Sequence, residues 1–259
     1  MSIALKNMIM GKITVKALFV LLMLSNSVWG QNIVKSDTLT TKIKKPKMEL
    51  KEFVVPGSLI ILGTCLSGSD FEKEVKKGFH DGSEDAIDFA LPIDDLIQYV
   101  PILELYTANI MGVKAKNHWF DQTKYLVIAN LVTAGITHSG KYIINKQRPN
   151  GADYAFPSGH TSFSFTNASV LYHEYKDTAP GLSHSGYILT SLVGGLRIIN
   201  NKHWVSDVLV GAGLGILVTK LVYHFEPLKN WNPFKKTDNM TLVPNINNRQ
   251  VGLYFKLDF

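Results

Sequence analysis

The stretch GLRIINNKHWVSD, Gly195 to Asp207, lies between the apolar runs SLVGG and VLVGAGLGILV. A chain that needed only to continue a greasy helix would have no use for an arginine, a histidine and an aspartate here. Polar residues at the joint of two apolar runs mark a helix–helix corner, and the spacing adds a second meaning. His203 and Asp207 are four residues apart, so on a helix they share a face. Such a pair is usually an ordinary surface interaction. Whether it does chemistry depends on what else the chain brings to it.

Working outward, apolar segments lie at 54–68, 86–113, 124–145, 158–175, 185–200 and 204–225. Short polar or Gly/Pro-bearing joints such as RPNGADYAFP and KDTAPGLSHS separate them, and this pattern predicts an all-α, six-helix bundle over 54–226. The best candidates for membrane spans, 124–140 and 208–223, are shorter than the ~20 residues that a comfortable crossing needs. The helices are therefore either core helices of an exported soluble bundle or spans that shield their polar residues inside it. The 54–68 segment contains Pro56 and Gly57 and reads as interfacial or peripheral rather than spanning.

Both flanks differ in character. Lys6, Lys12 and Lys16 precede the apolar run ALFVLLMLSNSVWG, so residues 1–30 read as a signal peptide with cleavage after Gly30. Residues 31–53 are a lysine-rich linker without apolar periodicity, and 227–259 form a tail whose MTLVPNI, NNRQ and VGLYFKLDF stretches suggest a β-hairpin. The chain has 259 residues and a formal net charge of +6, with a pI near 9.2 and a mean hydropathy of +0.06. That charge favours anionic partners. No nucleic-acid-reading motif is present, so phosphate esters and acidic lipid headgroups are favoured over nucleic acid. A single cysteine, Cys65, excludes an intramolecular disulfide and a cysteine-rich zinc site.

Two further patches stand beside the opening stretch. In Lys141-Tyr-Ile-Ile-Asn-Lys-Gln-Arg148-Pro149 the lysine and arginine are seven apart, two helical turns, and are expected on one face. Lys146 would then lie on another face, away from the site. In Phe156-Pro-Ser-Gly-His160 a proline and a capping serine open a helix whose first-turn N–H groups, at Ser158 and Gly159, attract anions. Each patch alone has an ordinary reading as a solvated face or a cap.

Together the three resemble the type 2 phosphatidic acid phosphatase family, which shares its site with class A acid phosphatases and vanadium haloperoxidases. The family pattern is Lys-x6-Arg-Pro, Pro-Ser-Gly-His and Ser-Arg-x5-His-x3-Asp. The first two are complete at Lys141, Arg148 and Pro149 and at Pro157 to His160; the third matches at Arg197, His203 and Asp207, with Leu196 in place of the serine. The resemblance covers roughly 90–226. It implies a nucleophilic His203 oriented by Asp207, His160 as general acid and base, and Lys141, Arg148, Ser158, Gly159 and Arg197 as phosphate-binding groups. It further implies metal-independent hydrolysis with no cofactor. The expected substrate is a lipid phosphate (phosphatidic acid, isoprenoid diphosphate or lipid A type) at a membrane of a bacterial-type envelope, with the site facing the periplasm. A soluble periplasmic acid phosphatase, a vanadium haloperoxidase and a non-catalytic envelope protein are the alternatives. The family gives Asp94 and Asp95 no catalytic part, so a helix-start or solvated role is expected for them. His138 reads as a satisfied bundle histidine, and the glycines of 211–217 as close helix packing rather than a nucleotide loop.

Overall fold

One face of one long helix sets the plan of the molecule. In a computed structural model, which describes residues 49–80, 93–229, 231, 240–247 and 250–257, this helix runs from Trp119 to Ile144. Tyr125, Ala129, Thr133, Thr137 and Lys141 recur on it at every fourth position and therefore form one stripe. Tyr125 and Ala129 enter the apolar core. Thr133 and Thr137 are buried too, and their hydroxyls meet those of Thr166 at 3.0 Å and Ser162 at 3.1 Å. Lys141, at the end of the stripe, is half-buried. The bundle interior thus passes from apolar, through hydroxyl-lined, to ionic along a single helix. Each buried hydroxyl pair contributes about 1 kcal/mol net and, more importantly, leaves no donor stranded.

Among the described residues there are eight α-helices: α1 Val54–Leu66, α2 Asp70–His80, α3 Ile93–Ile97, α4 Val100–Ile110, α5 Trp119–Ile144, α6 Gly159–Tyr175, α7 Pro180–Ile199 and α8 Val205–Phe225. This corrects the expected six. The described part of the 86–113 segment is divided into α3 and α4, with Pro101 in the first turn of α4, where its missing N–H costs nothing. The added α2 is amphipathic and mostly polar, so it leaves no apolar segment to read. After the bundle, Met240–Asn247 (β1) and Gln250–Leu257 (β2) pair antiparallel, with Asn247 opposite Gln250. The signal peptide read at 1–30 and nearly all of the 31–53 linker lie outside the described residues.

The bundle closes around α8, which packs between α1 and α6. Glycines set that distance. A Cβ on Gly211 would stand 2.8 Å from the Ser158 carbonyl oxygen and one on Gly215 2.6 Å from that of Ser162, both on α6 or its cap. A Cβ on Gly213, on the opposite face, would stand 2.8 Å from the Pro56 carbonyl oxygen of α1. The main core lies at the end of the bundle away from Lys141, with Leu105 of α4, Tyr125 and Ala129 of α5, Leu171 and Tyr175 of α6, and Val222 of α8. Of the described helices, α8 is the one long and apolar enough to cross a membrane, with 21 residues and a mean hydropathy of 1.8. The outer surface is apolar in its own right: Ile61, Leu62, Leu103, Leu131, Ile188 and Leu192 are all exposed.

The packing yields a paired expectation. Gly215→Ala drives a methyl into α6 backbone, and overpacking of this kind costs about 1–3 kcal/mol or more. Gly135→Ala, in α5 with nothing within 4 Å of the added Cβ, is expected to be neutral or stabilising by up to about 1 kcal/mol. Thermal unfolding of the two variants in one detergent checks this. Equal midpoints would contradict close approach of α8 to α6.

Candidate active site

The His203 loop is built by a carbonyl that gathers amides. After α7 ends, Asn201 turns left-handed at φ 57°. The Arg197 carbonyl accepts the amides of Lys202 at 3.0 Å and His203 at 3.1 Å. The chain re-enters a helix at Val205, and Asp207 caps it: its Oδ2 accepts the Trp204 amide at 2.9 Å. That same oxygen lies 3.4 Å from His203 Nδ1, close enough for an ion pair but off the line of a good hydrogen bond. Catalytic contacts of this length are common before a ligand tightens them. His203 is 2% exposed and Asp207 is fully buried.

Four other elements deliver the remaining candidates to one cavity of about 530 Å³, lined by Lys141, Arg148, Gly159, His160, Arg197 and His203 among others. Gly159 and His160 come from the first turn of α6. Ser158 is the buried N-cap residue of that helix, but its side chain caps no amide: its hydroxyl pairs with Thr161 Oγ1 at 2.9 Å, and its own amide donates to the Asp207 carbonyl at 2.9 Å. This corrects the expectation that the Ser158 N–H is free for phosphate; it ties the start of α6 to the start of α8.

Lys141 and Arg148 do not share a helical face. Asn145 is left-handed at φ 45° and ends α5, a position that favours Asn or Gly. Arg148 therefore reaches the cavity from a loop held by its own amide on the Ala152 carbonyl at 2.7 Å and its Nε on that of Asp153 at 3.2 Å. The same break overturns the reading of Lys146. Its Nζ turns inward to Ser206 Oγ at 2.7 Å, Asp207 Oδ1 at 3.1 Å and Glu72 Oε2 at 3.2 Å.

The acidic pair does stand in the first turn of α3, as a helix-start role requires, but it also reaches the site. Asp94 is 1% exposed and accepts from Arg197 Nη1 at 2.7 Å, while Asp95 Oδ1 sits 2.8 Å from His160 Nε2 and 3.6 Å from Arg197. His138, expected inside the bundle, is exposed at the cavity wall. The sequence reading thus passed over Glu72 and placed Asp94, Asp95 and Lys146 outside the site. Asn145, a C-cap residue directly before Lys146, was the one local signal that α5 stops early.

The electrostatics follow from packing cations together out of water. Burial pushes the His203 imidazole down to about 4, with Asp207 opposing and Lys141 and Arg197 adding to the fall. Burial, then Arg148, brings the Lys141 ammonium down to about 8. His160 is lowered by burial and by Arg197, and Asp95 works against that. Each of these positive charges is destabilised by its neighbours, which is the condition of a site made for a multivalent anion.

Residues 134–231 match the PAP2 superfamily, and all eight candidate residues fall within them. Over 142 residues the chain is 36% identical to a lipid A 1-phosphatase of Porphyromonas gingivalis, a match covering 54% of this chain and 32% of that protein. The chain thus spans about a third of the length of that curated relative. The PAP2-type phosphatidylglycerolphosphate phosphatase of Bacillus subtilis superposes with a TM-score of 0.51 at 18% identity, over 70% of this chain and 99% of that one. At that identity the fold is what the two share. LpxE of Aquifex aeolicus aligns with a TM-score of 0.45 at 22% identity, over 58% of this chain and 93% of that one.

The carboxylates of Asp94 and Asp95 occupy cations that an incoming phosphate would otherwise meet. Asp95→Asn is therefore expected to tighten binding of inorganic phosphate, by roughly tenfold at most because Asp95 is partly solvated. Isothermal titration at a fixed pH reads this directly. Weaker binding would mean that Asp95 assists the anion instead of competing with it.

Proposed function

We propose, from the match of residues 134–231 to the PAP2 superfamily and the geometry of the site, that the protein is a metal-independent phosphatase acting on a phosphomonoester or diphosphate of a cell-envelope lipid. The observation that carries this reading is the convergence of His203, His160 and three cations on one cavity, with a buried carboxylate behind His203. Asp207 takes the Nδ1 side of His203 and leaves Nε2 as the nucleophile. Nε2 attacks phosphorus, the bond to the leaving alkoxide breaks, and His160 supplies the proton that the alkoxide needs. A water then attacks the phosphohistidine, His160 takes its proton, and phosphate departs with Nε2 restored. Lys141, Arg148 and Arg197, with the N–H of Gly159, face the charge on the phosphoryl oxygens. Ser158 acts through its backbone tie to Asp207.

A lipid substrate is supported by the apolar outer surface of the bundle and by the name of the curated relative, a lipid A 1-phosphatase. Patches of exposed large apolar side chains mark partner or membrane contact. The polar end of the bundle, which carries the site, would stand at the headgroup level, with the helix middles against acyl chains. Residues 1–30 act as an export signal, 31–53 as a linker and 227–259 as a tail, and the site faces the periplasm.

Purified full-length protein is expected to release phosphate from a lipid A 1-phosphate, and more slowly from p-nitrophenyl phosphate, with undiminished rate in EDTA. His203→Ala is expected to lower that rate by several orders of magnitude, since no other nucleophile lies in its place. Phosphate release that vanishes in EDTA, or survives in His203→Ala, contradicts the reading.

A further inference from the structure

Lys146 is enclosed by acids that belong to different parts of the chain. Its Nζ lies 3.1 Å from Asp207 Oδ1 and 3.2 Å from Glu72 Oε2, and donates to Ser206 Oγ at 2.7 Å. Glu72, on α2, is 2% exposed and already engaged: its Oε1 accepts the Ser206 amide at 2.8 Å and its Oε2 the Gly68 amide at 2.9 Å. The rings of Phe156 and Trp204 flank the ammonium at 5.9 and 5.5 Å. Phe156 leads into the cap of α6 and Trp204 directly follows His203. Lys146 therefore stands where the two site-bearing turns meet.

We propose that Lys146, held by Glu72, is a positioning residue that fixes the plane and effective charge of the Asp207 carboxylate, and through it the orientation of His203. This rests on His203 being the nucleophile. The two oxygens of Asp207 have separate tasks. Oδ2 serves the Trp204 amide and His203, while Oδ1 has Lys146 and a Ser206 hydroxyl at 3.4 Å. Without Lys146, Oδ1 would be buried beside one long hydroxyl contact. A buried carboxylate in that condition rotates to find donors, taking Oδ2 from the histidine. Glu72 lies outside the 134–231 segment, so the nucleophile would depend on a helix that the matched domain does not contain.

The charge logic gives opposite signs for the two partners. The groups facing His203 are Asp207 on α8, Lys141 on α5, Arg197 on α7, His160 on α6, Arg148 on its loop, and Glu72 and Lys76 on α2, with Asp94 of α3 behind Arg197. Lys146 offsets part of the Asp207 charge. Its removal leaves the Asp207 charge uncompensated beside the ring, whichever oxygen turns to it, which favours the imidazolium and raises the pH at which the ring loses its proton. Removing the charge of Glu72 leaves Lys146 unopposed and moves that pH down.

The test is the titration of His203 in full-length protein labelled with ¹⁵N-histidine, read by NMR without turnover, together with kcat and KM on p-nitrophenyl phosphate. In Lys146→Met the His203 titration is expected to rise by roughly one pH unit, with kcat down at least tenfold and KM little changed. Lys146→Arg is expected to return both toward wild type, and Glu72→Gln to shift the titration the other way. If Lys146→Met fails to fold, Lys146→Gln keeps a donor without the charge and gives the same upward shift. An unmoved titration, or shifts of the same sign in Lys146→Met and Glu72→Gln, overturns the proposal. These variant shifts in a protein whose wild type shows no turnover would instead overturn the phosphatase reading and leave the positioning intact.

Discussion

Everything at the polar end of this bundle hangs on the first turn of α8, and within it on Asp207. Its carboxylate caps the helix through the Trp204 amide, lies against His203 and pairs with Lys146, while its backbone carbonyl receives the Ser158 amide from the cap of α6. One residue thus joins the histidine loop, the Pro-Ser-Gly-His turn, the end of α5 and, through Glu72, helix α2. A buried carboxylate is tolerable only with this many partners. The constraint works both ways: the ionic site needs Asp207 buried, and its burial requires that four segments close on it.

The rest of the fold makes that closure possible. Glycines on two faces of α8 let its backbone approach α1 and α6, so the first turn is held between them. Along α5 and α6 the hydroxyls of Thr133, Thr137, Ser162 and Thr166 form a layer between the apolar core and the charges. This layer meets polar groups with polar groups and keeps the cations from facing hydrocarbon directly. The cations themselves come from helix ends and loops, where backbone carbonyls such as that of Tyr154 on Lys141 can steady them without neutralising them.

Much of this was legible in the chain. His203 and Asp207 do meet, but His203 lies in the loop before the N-cap Trp204 and not on the helical face that their spacing suggested. The apolar segments marked most of the bundle, and the glycines of 211–217 read as packing because no strand precedes them. Lys141 and Arg148 reached one cavity, but not by the helical face that their spacing suggested. Asn145 ends α5, and the loop beyond it turns Arg148 to the site and Lys146 to Asp207. Glu72, Asp94 and Asp95 were out of reach of any periodicity. Glu72 meets Ser206 across 134 positions and Asp94 meets Arg197 across 103, and such pairings arise only from how the helices pack.

The central claim is that His203, set by Asp207, takes the phosphoryl group. It is tested most directly by mixing the protein with a phosphate ester, quenching in alkali within milliseconds to seconds, and mapping the phosphorylated peptide by mass spectrometry. The account predicts a base-stable phosphate on His203 that forms and decays during turnover and is absent from His203→Ala. Turnover with no phosphorylated residue, or with the phosphate on His160 or any other side chain, would contradict it.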